Sequence, residues 1–431
     1  MSTSFEDFPC GSHCQAECKI QDKMIRLQQS LLPPPQDKAA DLVDAFLESY
    51  RKLCLSSPEV KDVLTPDVAL PALFDFLMSV KYIKRQVSNG GWTYCSGENV
   101  AETPALYFPF VKACPRCSVK KGIVRPLVEA NKPKSDPIGE IASDCTVLIL
   151  SRVISKIAPG VKIGKSTLRQ GDVDLVIYDQ NVVVLAEIKS SPLVVYPLEI
   201  KRTGIMTEVR DGVSAPKLDH SPATADLDTS ELLMYIPHLD FRISLGNYSD
   251  TDWPYSNLID FVSNPQNVAI LISAWKELYE VYLGPQEGKR RSKKDHRIWL
   301  TCGCGGSVDD SKNAPGIERT DDIKKGTYQV LKYGTYYKEK CLRHLLRAAL
   351  VSNLFVARGF NQYLAEMHDV VWTKEKYSVA LKNNVAGVVA FQADRVFNLY
   401  DAILCLNRSI YRDEHLREIS SLDNFAAKFC S

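Results

Sequence analysis

Three polar residues close together in the chain have the types and spacing to hold a divalent metal ion. Asp174 lies in an alternating apolar segment, and Glu187 and Lys189 follow the next β-branched run. Strand residues two apart share a face, so Lys189 points the same way as Glu187. Carboxylate oxygens suit Mg²⁺, and a nearby ammonium can stabilise charge building on a phosphate. The three residues therefore indicate metal-dependent phosphodiester hydrolysis.

A strand hairpin must position these residues. Residues 173–178 alternate in polarity, residues 179–181 form a polar turn, and residues 182–188 form a second strand. Burying two carboxylates among Val, Ile and Leu is costly without a partner, and a bound Mg²⁺ offsets that cost. Upstream, Asp136 is expected to cap a helix that has Pro137 in its first position and ends near residue 157.

The pattern continues with a third strand at residues 193–200, a helix from Pro265 to about residue 282 and a short strand at 298–302. The order is helix, three strands, helix, strand. We expect a mixed α/β (α+β) fold with its core in residues 135–305. A helical N-terminal region (1–90) and a helical C-terminal region (306–431) flank it, the latter with helices near 328–368 and 391–406.

One family shares this combination of motif and element order. The segment Gly171-Asp172-Val173-Asp174-Leu175, followed by Ala186-Glu187-Ile188-Lys189, resembles the PD-(D/E)xK nuclease superfamily. The order of elements resembles that superfamily's restriction-endonuclease-like core. With its continuation Ser190-Ser191-Pro192-Leu193 and large flanking regions, the chain is most similar to type II restriction endonucleases, among them the ApaLI-like group.

The resemblance implies metal binding by Asp174 and Glu187, with Lys189 orienting or activating water and stabilising charge. It also implies a further catalytic acid on the preceding helix, and Glu140 fits that position. Favourable interaction with the helix N-terminus explains Glu140 equally well. Asp172 shares the face of Asp174 and is the fallback ligand, although its position also suits a turn.

A second E-x-K match, Glu199-Ile200-Lys201, follows twelve residues after the first. Glu187 lies on a strand that can pair directly with that of Asp174, whereas Glu199 lies beyond two prolines on the next strand. We therefore interpret Glu199 and Lys201 as structural or DNA-facing.

The thirteen cysteines include one pair with zinc-ligand spacing, Cys114 and Cys117, and Cys95 is a third candidate ligand. Such a zinc would be structural and would hold together an insert at residues 91–134. The alternative is that these cysteines are small buried residues. The fourth ligand stays open among Cys302, Cys304, Cys10, Cys14 and Cys18.

Charge is nearly balanced, with 53 basic and 52 acidic residues and a net charge of +1, so a polyanion must be bound by a local patch. Residues 328–347 interleave tyrosines with basic residues that could line a DNA cleft or a dimer interface, although most of the tyrosines are expected in a core. One basic run is either a phosphate-contacting patch or a solvated loop: Lys289, Arg290, Arg291, Lys293 and Lys294.

Several function classes are disfavoured. The chain shows no secretory signal and no apolar run near the ~20 residues of a membrane helix, so we expect a cytoplasmic protein without membrane contact. No glycine-rich cofactor turn or P-loop is present, so only metal is expected as cofactor.

Three functions remain. The first is a type II restriction endonuclease that cuts double-stranded DNA with Mg²⁺, as a homodimer whose two-fold symmetry matches a palindromic site. The second is a repair or recombination nuclease that recognises DNA structure. The third is a non-catalytic DNA-binding protein with the same fold.

Overall fold

The computed structural model places most of the described residues in helices and in two sheets. The described residues are 21–56, 62–89, 93–94, 105–108, 135–168, 173–201, 207–210, 213–216, 227–228, 230–284, 296–301, 315–318, 320–338, 346–356, 361–373, 378–381, 389–392 and 396–430.

Ten α-helices lie within these ranges. They are α1 (Gln21–Gln29), α2 (Lys38–Ser56), α3 (Pro66–Asn89), α4 (Ser135–Ile157), α5 (Tyr255–Val262), α6 (Pro265–Leu283), α7 (Thr320–Tyr337), α8 (Asn361–His368), α9 (Glu414–Ser420) and α10 (Leu422–Phe429). None of these described helices is long and apolar enough to cross a membrane.

The described strands number eighteen. They are β1 (Leu31–Leu32), β2 (Thr93–Tyr94), β3 (Ala105–Phe108), β4 (Lys162–Ser166), β5 (Leu175–Tyr178), β6 (Val183–Ile188), β7 (Leu198–Lys201), β8 (Thr207–Arg210), β9 (Val213–Pro216), β10 (Glu231–Ile236), β11 (Phe241–Ser244), β12 (Leu346–Ser352), β13 (Val371–Trp372), β14 (Ser378–Leu381), β15 (Val389–Gln392), β16 (Phe397–Asn398), β17 (Ala402–Cys405) and β18 (Ile410–Tyr411).

A seven-stranded mixed sheet is the centre of the fold, with the order β1-β4-β5-β6-β12-β17-β18. Strands β1, β4, β5 and β6 pair antiparallel, whereas β6, β12 and β17 run parallel to one another. A second sheet of five strands has the order β11-β10-β7-β3-β2. The expected mixed α/β class is therefore confirmed.

Each face of the seven-stranded sheet is covered by a separate hydrophobic core. On one face, Leu175 and Ala186 pack with Leu148 of α4 in a core that also contains residues of α2, α3 and α6. On the other face, Val176 and Leu185 belong to a core shared with α1 and α7. Because successive strand residues point to opposite faces, the parity of a residue number decides which core it meets.

The expected N-terminal helices and the hairpin are present. Helices α2 and α3 occupy the predicted helical region, and β5 and β6 form the hairpin across the turn at residues 179–181. Asp179 stabilises this turn, since its Oδ1 accepts hydrogen bonds from the backbone N–H groups of Asn181 and Val182. Helix α4 begins at Ser135, a residue before the expected cap at Asp136.

Three strand and helix assignments around the hairpin differ from expectation. The third strand of the meander is β4, upstream of the hairpin, whereas the predicted strand at 193–200 is shortened to β7 and belongs to the second sheet. The predicted strand at 298–302 is instead a 3₁₀ helix, His296–Thr301. Short apolar runs carry too little periodicity to distinguish these states.

The prediction of a helical region at 306–431 is wrong. This stretch supplies α7, but it also supplies β12, β17 and β18 of the central sheet, which therefore extends beyond the expected core of 135–305. Nearly every residue of β12 is buried because the strand lies between two neighbours with a core on each face. A strand buried on both faces has no alternation, so it resembles a helical apolar run in the sequence.

Candidate functional site

Asp174 and Glu187 lie opposite each other on neighbouring strands. The ladder pairs Leu175 with Ala186, and Asp174 extends it by donating its backbone N–H to the carbonyl oxygen of Ala186 at 3.0 Å. The side chain of Asp174 is oriented by a second contact, because its Oδ2 accepts the backbone N–H of Ile188 at 2.9 Å. The two carboxylates therefore share the sheet face that packs against α1 and α7.

Glu187 is the more buried of the two carboxylates, with only 6% of the residue exposed. Burial, followed by the negative charge of Asp174, raises the pKa of Glu187 to about 7, although Lys189 acts in the opposite direction. A carboxyl group in this state is held at an electrostatic cost near neutral pH. A cation shared with Asp174 would remove that cost.

Lys189 follows β6 and points to the same face as Glu187. Its Nζ contacts Oε1 of Glu187, and its side chain is 24% exposed. The backbone N–H of Lys189 donates to Val351 O at 2.8 Å, so the residue continues the pairing of β6 with β12. The hairpin and the parallel neighbour together bring Asp174, Glu187 and Lys189 into one cluster, as their spacing predicts.

Helix α7 covers this cluster and brings residues that sequence reasoning missed. A Cβ on Gly326 would lie 3.5 Å from Cγ of Lys189, so the helix backbone approaches the lysine closely. Tyr333 is buried beside both carboxylates, whose charges and the burial itself raise its pKa, and its hydroxyl donates to Ala349 O at 2.9 Å.

Gln329 lies between Gly326 and Tyr333 on the same face of α7, three residues from one and four from the other. Its Oε1 is buried and has no hydrogen-bond partner in the described structure. A buried amide oxygen that lacks a donor is unusual. The four-residue spacing of Gln329 and Tyr333 is the signal that could have identified them.

The structure does not bring Glu140 to this cluster. Its side chain is 60% exposed and pairs with Arg85 of α3 at 3.0 Å. Helix α4 packs on the opposite face of the sheet from Asp174, and Glu140 is not among the charges that shift the pKa of Glu187. The catalytic role that the resemblance implies for Glu140 stays a prediction.

Glu199 and Lys201, the second E-x-K match, lie on β7 in the five-stranded sheet. Glu199 is completely buried, and its Oε2 accepts a hydrogen bond from Nε of Arg242 at 2.9 Å. Lys201 pairs at 3.1 Å with Glu231 on the neighbouring strand. These contacts place the second match in a different sheet from Asp174 and agree with a structural role.

Several predicted positions lie outside the described residues. They are Asp172, the proposed zinc ligands Cys95, Cys114 and Cys117, the five proposed further ligands (Cys10, Cys14, Cys18, Cys302 and Cys304), and the basic run Lys289, Arg290, Arg291, Lys293 and Lys294. The described cysteines are all buried: Cys54, Cys145, Cys405 and Cys430.

The site thus combines two facing carboxylates and one ammonium group. Within the described ranges, no three His, Cys, Asp or Glu side chains converge as a metal-binding group, so a cation here would need other oxygen ligands. Such ligands are available to Mg²⁺, which keeps several waters and often binds only one or two carboxylates.

In comparisons with known proteins, no protein-family model, no curated protein and no solved structure matches this chain.

Proposed function

We propose that this protein is a metal-dependent nuclease that hydrolyses phosphodiester bonds in DNA. The observation that carries the proposal is the buried carboxylate of Glu187, which faces Asp174 across β5 and β6 and contacts Lys189. Two acids and a lysine converging on a partly buried patch are the groups that phosphodiester hydrolysis needs. Buried acids of raised pKa cluster at functional sites.

Asp174 and Glu187 would hold the metal ion. Burial and then the negative charge of Asp174 raise the pKa of Glu187, and a divalent cation would offset both effects. Gln329 lies one helical turn from Tyr333 on α7, and its buried Oε1, which has no hydrogen-bond partner in the described structure, would be a candidate third oxygen ligand. Carboxylate and amide oxygens are hard ligands that suit Mg²⁺. When bound, the ion would supply Lewis-acid stabilisation of the phosphate.

Lys189 would act on the substrate phosphate and the attacking water. Its Nζ lies at the carboxylate pair, so an ammonium group is already oriented where negative charge builds up in the transition state. Tyr333 has a different role, because its hydroxyl donates to the Ala349 carbonyl. It supports the wall of the site.

A mixed sheet with helices on both faces agrees with the proposal. Its elements differ from those expected for a restriction-endonuclease-like core, because the third antiparallel strand is β4, upstream of the hairpin, and the predicted strand at 298–302 is a 3₁₀ helix. The narrower form of the proposal is a type II restriction endonuclease, acting as a homodimer on a palindromic site. This form rests on the sequence resemblance alone.

DNA cleavage tests the proposal directly. The purified protein is incubated with phage DNA and Mg²⁺, with EDTA as one control. The matched variants are Asp174→Asn and Asp144→Asn, since Asp144 is a half-exposed acid of α4 that pairs with Lys165. We expect the wild type and Asp144→Asn to cut and Asp174→Asn to be inactive. Equal cutting by both variants would overturn the site assignment.

The cleavage pattern separates the forms of the proposal. A fixed set of fragments indicates a restriction endonuclease, and sizing of the protein by light scattering tests the dimer. Cutting confined to branched or damaged DNA indicates a structure-directed nuclease. Binding of DNA without any metal-dependent cutting would show a non-catalytic protein and refute the proposed activity.

A further inference from the structure

The end of β6, which carries Lys189, is held by a buried polar network beyond the last ladder pair. Lys189 pairs with Val351 of β12, but the next two residues, Ser190 and Ser191, lead away from the strand towards Pro192. Backbone groups here need other partners, because proline ends regular pairing. The network that supplies these partners fixes the position of the Lys189 Cα atom.

Asn353 supplies most of this network from the residue that follows β12. Its Oδ1 accepts the backbone N–H of Ser191 at 3.0 Å, and its Nδ2 donates to the Ser191 carbonyl oxygen at 2.8 Å. Its own backbone N–H donates to Oγ of Ser190 at 3.1 Å. The carboxamide therefore imitates a strand backbone and extends the β6–β12 ladder by two residues. Asn353 is completely buried.

Two further contacts fix the same strand end. The hydroxyl oxygens of Ser190 and Thr146 are 2.8 Å apart, so the strand end is hydrogen-bonded to α4, and Thr146 is completely buried. On the way into α7, Gly316 donates its backbone N–H to the Ser191 carbonyl at 2.9 Å. The segment that leads to the helix covering Lys189 is thus attached to the same residue as Asn353.

We propose that Asn353 is a positioning residue for Lys189. By pairing with Ser191, it fixes the strand end and, through the shared Ser191 carbonyl, the approach of α7, so that the Lys189 ammonium stays against Glu187. In the described structure Asn353 hydrogen-bonds Ser190 and Ser191, so it acts on Lys189 through the backbone. The catalytic consequence rests on the proposed nuclease function, whereas the placement of Lys189 does not.

The central experiment compares Asn353→Ala with Asn407→Ala. Asn407 is a matched control because it also follows a parallel strand, β17, and its Oδ1 accepts a backbone N–H, that of Phe355, at 2.8 Å. Removing either side chain removes a hydrogen bond to a backbone N–H group, so both variants should unfold at a lower Tm than the wild type. Only Asn353→Ala is expected to alter the position of Lys189.

The first measurement does not depend on activity. Each protein is treated with an amine-acylating reagent, and labelling of Lys189 is followed by mass spectrometry, with Lys201 as the internal reference. We expect Lys189 to be labelled several times faster in Asn353→Ala than in the wild type, and no change in Asn407→Ala. Unchanged labelling of Lys189 in folded Asn353→Ala would overturn the proposal, whatever the activity.

The second measurement uses cleavage kinetics. Small displacements of a catalytic group are costly, so kcat of Asn353→Ala should fall about tenfold or more while KM for DNA stays within about twofold. Asn407→Ala should keep kcat even if its Tm falls equally. Parallel losses of kcat in both variants would show a merely structural role.

A second variant covers the case in which Asn353→Ala does not fold. Ser190→Ala removes two hydrogen bonds, the one that the Asn353 backbone N–H donates to Ser190 and the one with Thr146, but it keeps the pairing of the Asn353 side chain with Ser191. Because Asn353 is then held less firmly, we expect a smaller increase in Lys189 labelling. No increase would count against the proposal. If the wild type cuts no DNA, the nuclease function fails, while the labelling still decides the role of Asn353.

Discussion

Asp174 and Glu187 face each other across the antiparallel strands β5 and β6, and the charge of Asp174 adds to burial in raising the pKa of Glu187. Among the described side chains around Glu187, Lys189 acts in the opposite direction and lowers that pKa. The pair is therefore unfavourable in the metal-free protein near neutral pH. Destabilised charge clusters of this kind are typical of functional sites, where stability and activity oppose each other.

Glu187→Gln should stabilise the metal-free protein at about pH 8, by about 1–3 kcal/mol. The folded-state pKa of Glu187, about 7, lies above the ordinary value of 4.5. The wild-type protein therefore has its full free energy of unfolding below about pH 4.5, where Glu187 is protonated in both states, and loses part of it as the pH rises through 7. The gain should therefore vanish near pH 5. Urea unfolding in EDTA at both pH values measures it, and a variant that is less stable at both would contradict the prediction.

Metal affinity should rise with pH and then level off. A cation that binds Glu187 must displace its proton, so the apparent affinity for Mn²⁺ should increase by up to about tenfold per pH unit below 7 and little above it. Calorimetric titrations between about pH 6 and 9 measure this dependence. Glu187→Gln is the control. We expect this variant to bind Mn²⁺ weakly, with an affinity that does not follow the pH dependence of the wild type. Equal wild-type affinity at pH 6 and 8 would argue against Glu187 as a ligand.

Lys189→Met should reduce cleavage by about a hundredfold or more, because it removes the ammonium beside the carboxylates. Mn²⁺ binding should be kept, since neither acid is changed. The matched control is Lys201→Met in the second E-x-K match, where Lys201 pairs with Glu231 on another sheet. Single-turnover cleavage rates of the two variants decide which lysine acts, and a loss only in Lys201→Met would reverse the assignment.

Gly316→Ala should destabilise the protein by about 1–3 kcal/mol and slow cleavage. Gly316 has a φ of +57°, and an added Cβ would lie 2.3 Å from the backbone oxygen of Leu354, which cannot move aside as a side chain could. Gly334→Ala is the control. Gly334 lies inside α7, and the atom nearest to its added Cβ would be the Cβ of Ala348, 3.9 Å away. The free energy of unfolding of Gly334→Ala should rise by up to about 1 kcal/mol, because alanine has a higher helix propensity than glycine. Thermal unfolding of both variants measures the contrast, and equal Tm values would refute it.

The sequence by itself determined the hairpin and the relation of Asp174 to Glu187 and Lys189. Alternation, a polar turn and a β-branched run are local signals, and a period of two decides the face of each residue without knowledge of the rest of the fold. The mixed α/β class followed from the same local patterns. The buried β12 escaped detection because a strand with a core on each face has no alternation.

Only the tertiary structure decided which distant residues meet the hairpin. Tyr333 and Asn353 reach it from α7 and from the end of β12, more than a hundred residues further along the chain. The parallel pairing of β6 with β12 and the close approach of α7 to Lys189 bring them there. The same packing places Glu140 on a helix on the opposite face and Glu199 in another sheet. Long-range strand pairing carries no local signal, so spacing along the chain could not separate one E-x-K match from the other by itself.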